Sequence, residues 1–599
     1  MKRILILVII SAFIFNACEE EVLNKKPLDT ITDATLWSDP VLIDDYLNEC
    51  YSEMRFYFEM PYDKPLNSGS LSQIRALDAV TISDETQPSW ISAPKSNWIT
   101  IKGGYFEWWG YPTIRKLNIF IEKMGALDLK ESYKKQRLAE ARFLRAFAYF
   151  NLVKRYGGVP LISWVQQLND PEEELYPKRD KEDDVYQFIL TEIDEIAEDL
   201  PEVFGDGRAT KYAAVALKSR AAMYAASIAQ WGSVQLDGVV GIPSNKATTY
   251  WQASYDASKS IISSGMFALY NKGADKVANY RNIFLDENNS EVIFSQRFDG
   301  KAGIGHAWDI LNIPLPYNVW GSGQHSCVYL EMVESYDNID GTSGVIDRQK
   351  ISTGVNNGHL FTVEELWGKK DPRFKASVYG HGTPWTHVNG DFILDYHDAI
   401  EFDGKWERVG SYKGVLCKSK SYGRKTNFGV LKYLDKDMAT EQAINFSKTD
   451  YIVFRHAEIL LNYAEAAIEL NKSSDALWAV NEIRKRAGMP ELSSVTREDV
   501  RRERKVELAF EGNRYFDLRR WRVAKQELTH SYQGLRFILD GASIVEGQYD
   551  VLSTKFKIAL VNNVSGSPSP YFDEKHYYLP ITLSRTGINP NLVENPGYQ

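Results

Sequence analysis

The stretch DKEDDVYQFILTEIDEIAEDL, Asp180 to Leu200, puts Val185, Phe188, Ile189, Ile193, Ile196 and Leu200 on one stripe of a helix, with acids opposite. A stripe of that kind has to be covered, so one such helix implies a partner, and the chain supplies partners in series. AEARFLRAFAYFNLVKRYGGVPL reads as a helix rich in Ala and aromatics, stopped by Gly157 and Gly158 with Pro160 beyond. GRATKYAAVALKSRAAMYAASIA carries small residues that let helices approach closely, and YWQASYDASKSIISSG ends at Gly265. From Asp450 helices return as RHAEILLNYAEAAIELN, SSDALWAVNEIRKRAGMP and REDVRRERKVELAFEGNRYFDLRRW, the last capped by Thr496 with Asp499 as capping-box acid. Between Gly265 and Asp450 the character changes. GKAGIGHAWDI, YNVWGSGQHS and STGVNNGHL read as loops, and EVIFSQRF and GVLKYLD as short strands. The tail from Ser531 is irregular with a strand-like KFKIALV. The expected fold is mostly α: a tetratricopeptide-like helix-pair superhelix with a long loop-rich insert and a few short strands. No clean repeat of about 34 residues marks it, so on the residues alone this expectation rests on the pairing of the helices.

The start of the chain has a different logic. Lys2 and Arg3 precede an apolar run from Ile4 to Phe15, broken only by Ser11; Asn16 and Ala17 then lead into Cys18 and three glutamates. A charged head, a short apolar core and small residues make a secretory signal peptide. The run is too short for a bilayer core that needs roughly 20 residues. Cys18 stands where a bacterial lipobox places its lipidated cysteine, with Phe15 where Leu is commoner. Lipid there anchors strongly, since each buried CH₂ contributes about 0.8 kcal/mol. The chain divides into a signal peptide at 1–17, a lipidated tether at 18–30, a helical region at 31–265, the insert at 266–450 and a helical region with its tail at 451–599.

Net charge is −10, which speaks against nucleic acid as the main partner. Of the cysteines Cys18, Cys50, Cys327 and Cys417, three remain if Cys18 carries lipid, and no Cys-x-x-Cys occurs. HExxH, GxxxxGK[ST], a complete GxGxxG and GxSxG are absent, and the nine His show no ligand spacing, so no metal and no cofactor are expected. A triad assembled from distant residues stays open. Glu503, Glu507 and Glu511 recur at four-residue steps among Arg501, Arg502, Arg504, Lys505, Arg514, Arg519 and Arg520. That spacing suits a partly buried Arg–Glu network better than acid/base chemistry. Arg455, Glu458, Glu465 and Asp517 join the expected structural network.

Seven stretches, in order, carry a resemblance: AEARFLRAFAYFNLVKRYGGVPLI, GRATKYAAVALKSRAAMYAA, KDPRFKASVY, YIVFRHAEILLNYAEA, NEIRKRAGMP, RRERKVELAFEGNRYFDLRRW and LPITLSRTGINPNLVENPGY. They resemble the SusD/RagB family of outer-membrane lipoproteins of Bacteroidetes; Thr582 stands where that family often has a second Pro. The resemblance implies four tetratricopeptide-like helix pairs carrying a variable loop-rich face. It also implies a surface-facing outer-membrane lipoprotein without enzymatic activity. Such a protein captures an oligosaccharide and passes it to a TonB-dependent, SusC-like transporter. Some relatives handle peptides, so a peptide ligand is an alternative, as are a surface glycosidase and a pure protein scaffold.

A pyranose offers C–H faces to flat rings and a hydroxyl rim to polar groups. Aromatics are the unusual part of the composition, at 13% with 15 Trp and 34 Tyr, and amphipathic rings suit binding faces. The candidates stand on loops: Trp90 and Trp98 with Asp84 and Asn97, and Tyr317 and Trp320 with Asn318. Trp308 and Trp231 are weaker candidates, while Trp108 and Trp109 are expected to begin a helix and pack in the core. Which glycan is taken, and whether a structural calcium is present, stay open at this level.

Overall fold

The computed structural model of the chain describes residues 33–54, 56, 78–88, 107–203, 207–299, 305–314, 324–386, 391–408, 426–436, 447–546, 548–564 and 571–598. The frame is built from α1 (Pro40–Glu53), α2 (Tyr111–Ala126), α3 (Glu131–Tyr156), α4 (Glu182–Ile196), α5 (Lys211–Trp231), α6 (Ala247–Ser264), α7 (His456–Glu469), α8 (Ser473–Ala487), α9 (Arg497–Glu507) and α10 (Arg514–Arg520). Each helix from α1 to α8 packs on the next, and α9 lies against α7. The result is a tetratricopeptide-like stack of helix pairs. The chain leaves it after Ser264 and returns at His456, so α6 and α7 touch in space across the whole insert. Among the described residues no helix is long and apolar enough to cross a membrane.

Local chemistry explains the stack. On α4, Val185, Ile189, Ile193 and Ile196 are buried as the stripe requires. α5 buries Ala213, Ala216, Ala221, Ala222, Ala225 and Ala226, and these small side chains let its neighbours come close. The contact is tight enough for Ser219 Oγ to lie 2.8 Å from Ser258 Oγ on α6 and to accept from Asn462 Nδ2 of α7 at 3.1 Å. α3 stops at Gly157, whose φ of 76° suits glycine. Gly158 follows so closely against the chain before α4 that a Cβ there would sit 1.9 Å from the Asp180 carbonyl oxygen. Trp108 and Trp109 precede the first turn of α2, which starts at Tyr111 with Pro112 beside it. They are half-buried, with Trp109 edge-on to Tyr156 at 5.3 Å.

Strands are few. Val292–Gln296 pairs antiparallel with Tyr451–Arg455, which leads into α7. Thr86–Pro88, Ser326–Val328, Gly429–Val430 and Val378–Tyr379 form a four-stranded sheet in that order. A second sheet runs Phe556–Val561, Gly534–Asp540, His397–Phe402, Lys405–Arg408, with its central pair parallel.

A buried ion network joins insert and frame. Glu507 closes α9 and takes three guanidinium groups: Arg455 Nη1 at 2.7 Å, Arg373 Nη1 at 3.0 Å, and Arg486. Arg455 also reaches Glu291 and Glu511, each at 2.7 Å. Arg373 donates to Glu503 at 2.5 Å and to Asp371 at 2.8 Å. Lys432 closes the set on Glu511 at 2.9 Å. Arg373, Asp371, Glu291 and Lys432 come from the insert, the remainder from the helices and from Tyr451–Arg455. Burial opposes ionisation of Glu507, but Arg486, Arg455 and Arg373 outweigh it and hold its carboxyl far below the usual range.

The sequence suggested one helix face for Glu503, Glu507 and Glu511, but α9 ends at Glu507 and the chain turns at Phe510 and Gly512, both at positive φ, 64° and 80°. Glu511 therefore reaches Arg455 and Lys432 from a turn. The capping box at the other end of α9 pairs Thr496 with Asp499.

Removing one partner from a buried charge set strands the others. Glu507→Ala is expected to lower unfolding free energy by about 3–5 kcal/mol. Urea unfolding checks this, with the exposed Glu131→Ala expected to leave the midpoint unchanged; equal midpoints for the two variants would remove the network from this role.

Candidate ligand-binding face

The four-stranded sheet joins two of the aromatic segments at their roots. Thr86 pairs with Val328, Gln87 with Cys327 and Pro88 with Ser326. The chain passes from Pro88 directly into 89–106 and emerges from 315–323 directly into Gln324, so these two segments attach to neighbouring positions of one sheet. The second segment is also closed at its base. Gln324 N–H donates to the Ile313 carbonyl at 3.0 Å and His325 N–H to the Leu311 carbonyl at 2.8 Å. Trp90, Asn97, Trp98, Tyr317, Asn318 and Trp320 all belong to these segments and lie outside the described residues, as does Cys18.

The sheet is held rigidly from behind. Tyr379 O–H donates to the Asn312 carbonyl at 2.6 Å, and Gln324 Nε2 donates to the Phe428 carbonyl at 3.1 Å. Gly429 lets the Tyr379 ring cross the strand, where a Cβ would lie 2.1 Å from Tyr379 Cζ. Just before the first strand, Asp84 is only 3% exposed. Its carboxylate takes Arg514 Nε at 2.8 Å and Lys505 Nζ at 2.9 Å. Burial opposes its charge, and Arg514 and Lys505 prevail, holding the carboxyl below its ordinary range. Asp84 thus belongs to the interior ion pairs, with no oxygen turned to a sugar rim. Its neighbour Glu85, which the sequence reading passed over, accepts Phe510 N–H at 2.8 Å, and its other oxygen lies 3.0 Å from Ser83 Oγ. Burial raises Glu85 to about 7, with the adjacent Asp84 charge adding to the effect. The only cue to Glu85 in the sequence is an acidic pair in front of a strand.

The remaining network residues are interior. Glu458 accepts from Arg220 Nε at 2.7 Å, and Glu465 takes Arg520 at 2.5 Å and Trp521 Nε1 at 2.7 Å. Asp517 sits between Arg504 and Arg520, each at 2.8 Å. Arg514 and Arg455 bind as described. Glu503, Glu507 and Glu511 are buried with their oxygens occupied by arginine and lysine, so the cluster offers no acid/base pair to a substrate.

Trp308 is fully buried with its indole N–H on the Lys432 carbonyl at 3.0 Å. Trp231 is half-buried, with the Arg501 guanidinium 4.8 Å above its ring. It edges a cleft of about 450 Å³ shared with Arg522, Lys525, Glu574 and Tyr577. A second cleft of about 570 Å³ lies among Glu331, Glu498, Arg502 and Trp521. Neither contains a residue of the four-stranded sheet.

A family model described as "SusD family" matches residues 290–598, and one described as "Starch-binding associating with outer membrane" matches residues 61–223. A SusD-like protein of Bacteroides ovatus is 24% identical over 540 residues, 87% of this chain and 83% of the relative. A solved SusD-like protein from Bacteroides fragilis superposes with TM-score 0.69 at 25% identity, over 96% of this chain and 100% of its own. A SusD-like carbohydrate binding protein from the same species gives TM-score 0.66 at 22% identity, over 93% and 100%.

Glu85 gives a pH test of the sheet's foot. Its folded pKa lies above the unfolded carboxylate value of roughly 4.3. Its stabilising contribution is therefore complete below that value and is lost as pH rises through about 7. Glu85→Gln keeps a neutral donor facing Ser83 and an acceptor for Phe510. The fall in melting temperature between pH 5 and about 8 should be shallower in the variant, which should match or exceed the parent at the upper end. Parallel curves in differential scanning calorimetry would contradict this.

Proposed function

Because the chain belongs to the SusD family, we propose that it captures an oligosaccharide at the cell surface and delivers it to a TonB-dependent, SusC-like transporter. It binds rather than reacts. Lipid on Cys18 anchors it in the outer membrane, facing outward, with 266–450 and the segment 89–106 presenting the ligand face on the helical frame. One family model matched by this chain is described as starch-binding and outer-membrane-associated, which supports a glycan as the ligand class.

The observation that carries the reading is the pairing of Pro88 with Ser326. It roots the segments bearing Trp90, Trp98, Tyr317 and Trp320 side by side, as rings that share one sugar chain require. Rings from both segments stack on pyranose faces, while Asn97 and Asn318 serve the hydroxyl rim. The ion pairs behind the sheet fix where the segments start.

Affinity electrophoresis of the chain lacking residues 1–18, through gels holding a panel of polysaccharides, tests this. Retardation by one glycan is expected. Trp98→Ala or Trp320→Ala should weaken it on the order of tenfold, the equivalent of roughly 1.4 kcal/mol. Retardation unchanged in both variants would keep the function and remove these rings from the site; none across the panel would favour a peptide ligand. In cells, Cys18→Ala should abolish incorporation of labelled palmitate and release the protein from the membrane fraction.

A further inference from the structure

His381, Asp395 and His397 meet inside the insert, between the end of the edge strand Val378–Tyr379 of the four-stranded sheet and the start of the strand His397–Phe402 of the second sheet. His381 follows the strand Val378–Tyr379, and the hairpin of Pro384–Trp385 with Phe392–Ile393 folds the chain back so that Asp395 and His397 arrive beside it. Both imidazoles are buried, at 1% and 0% exposure, and their ring centres lie 4.2 Å apart. Asp395 Oδ1 is 3.0 Å from His397 Nδ1 and 3.9 Å from His381 Nδ1. One ligand atom from each of the three residues falls within 4.8 Å of the others. We propose that these residues bind a divalent first-row transition-metal ion, of which Zn²⁺ is the type.

Ligands of one tetrahedral Zn²⁺, at about 2.0–2.1 Å from the ion, stand roughly 3.3 Å from each other. The His397–Asp395 separation lies close to that value; the Nδ1 lone pair of His381 already takes Tyr396 N–H, so His381 would offer its free Nε2, and ligand atoms within 4.8 Å of one another would draw together on the ion. Two imidazoles with one carboxylate form a nitrogen-rich set that suits Zn²⁺, Co²⁺ or Ni²⁺; Ca²⁺ prefers six to eight oxygens.

An ordinary buried ion pair accounts for the cluster less well. One carboxylate can neutralise one imidazolium, and two rings this close cannot both carry charge. His381 Nδ1 accepts Tyr396 N–H at 3.1 Å, while among the described residues its Nε2 is buried without a hydrogen-bond partner. A structural histidine usually satisfies both nitrogens. The surroundings are those of a metal site. Tyr549 O–H donates to Asp395 Oδ2, orienting the carboxylate from outside, and Phe537 and Phe556 wall the His381 ring at 4.9 Å each. Three protein ligands leave a fourth position for water. The bound ion would clamp the hairpin to the sheet strand His397–Phe402, next to Gly534–Asp540.

The test uses the chain lacking residues 1–18, stripped with EDTA, dialysed and titrated with Co²⁺. The proposal expects visible d–d bands of a four- or five-coordinate ion saturating at one Co²⁺ per chain and displaced by Zn²⁺. It also expects Zn²⁺ to raise the melting temperature by several degrees and EDTA to reverse the shift. His397→Ala and Asp395→Asn should lose the bands. His359→Ala should keep them, since it removes only the exposed His359–Glu365 pair, the type of site expected for adventitious binding. If the buried variants fail to fold, the parent and His359→Ala decide alone. Absence of bands with a melting temperature indifferent to Zn²⁺ and EDTA overturns the proposal, as do bands that vanish in His359→Ala or persist in folded His397→Ala.

Discussion

Glu507 is the point on which the two halves of the chain meet. It stands at the end of α9 with guanidinium groups from the insert, from the strand before α7 and from α8 around its carboxylate. Burying so many charges is costly, because each loses its water. The set survives because it is nearly balanced and each guanidinium makes several directed bonds. A well-packed apolar joint of the same volume could be as stable. What directed bonds add is selectivity: Arg455 satisfies Glu291, Glu507 and Glu511 together only when strand, helix and turn are in one mutual position.

That selectivity reaches the four-stranded sheet through two residues. Asp84 and Glu85 precede the strand Thr86–Pro88. They are bound by Arg514, Lys505 and the backbone of Phe510, all from the segment that carries Glu507 and Glu511. The turn at Phe510 thus has two tasks. It swings Glu511 onto Arg455, and it presents its own N–H to Glu85. The fold of the insert, the position of the sheet and the origin of the segments 89–106 and 315–323 follow from one chain reversal on the helical frame.

Much of the frame was legible in the sequence. α3 to α8 each bury a stripe or an Ala-rich face against a neighbour, and periodicity reports that directly. The Thr496–Asp499 box is equally local. The chain reversal was not legible, because it depends on Phe510 adopting a positive φ that side chains rarely take, with only Gly512 as a hint. Charge spacing named Glu503, Glu507, Arg455 and Asp517, yet it could not say that Asp84 belongs with them. Asp84 and Arg514 are 430 positions apart, and only the tertiary fold joins them. The same limit hid His381 from Asp395 and His397, which meet through a hairpin with no fixed spacing rule.

Backbone pairing and side-chain contacts divide the work of holding the four-stranded sheet. Backbone pairing sets where the aromatic segments begin and end, and backbone hydrogen bonds do not depend on side-chain identity. Among the described residues the sheet is anchored by the ion pairs of Asp84 with Arg514 and Lys505 and by the hydrogen bonds of Glu85 and Tyr379. A change at Glu507 or Arg455 leaves buried charge behind and reaches every element at once.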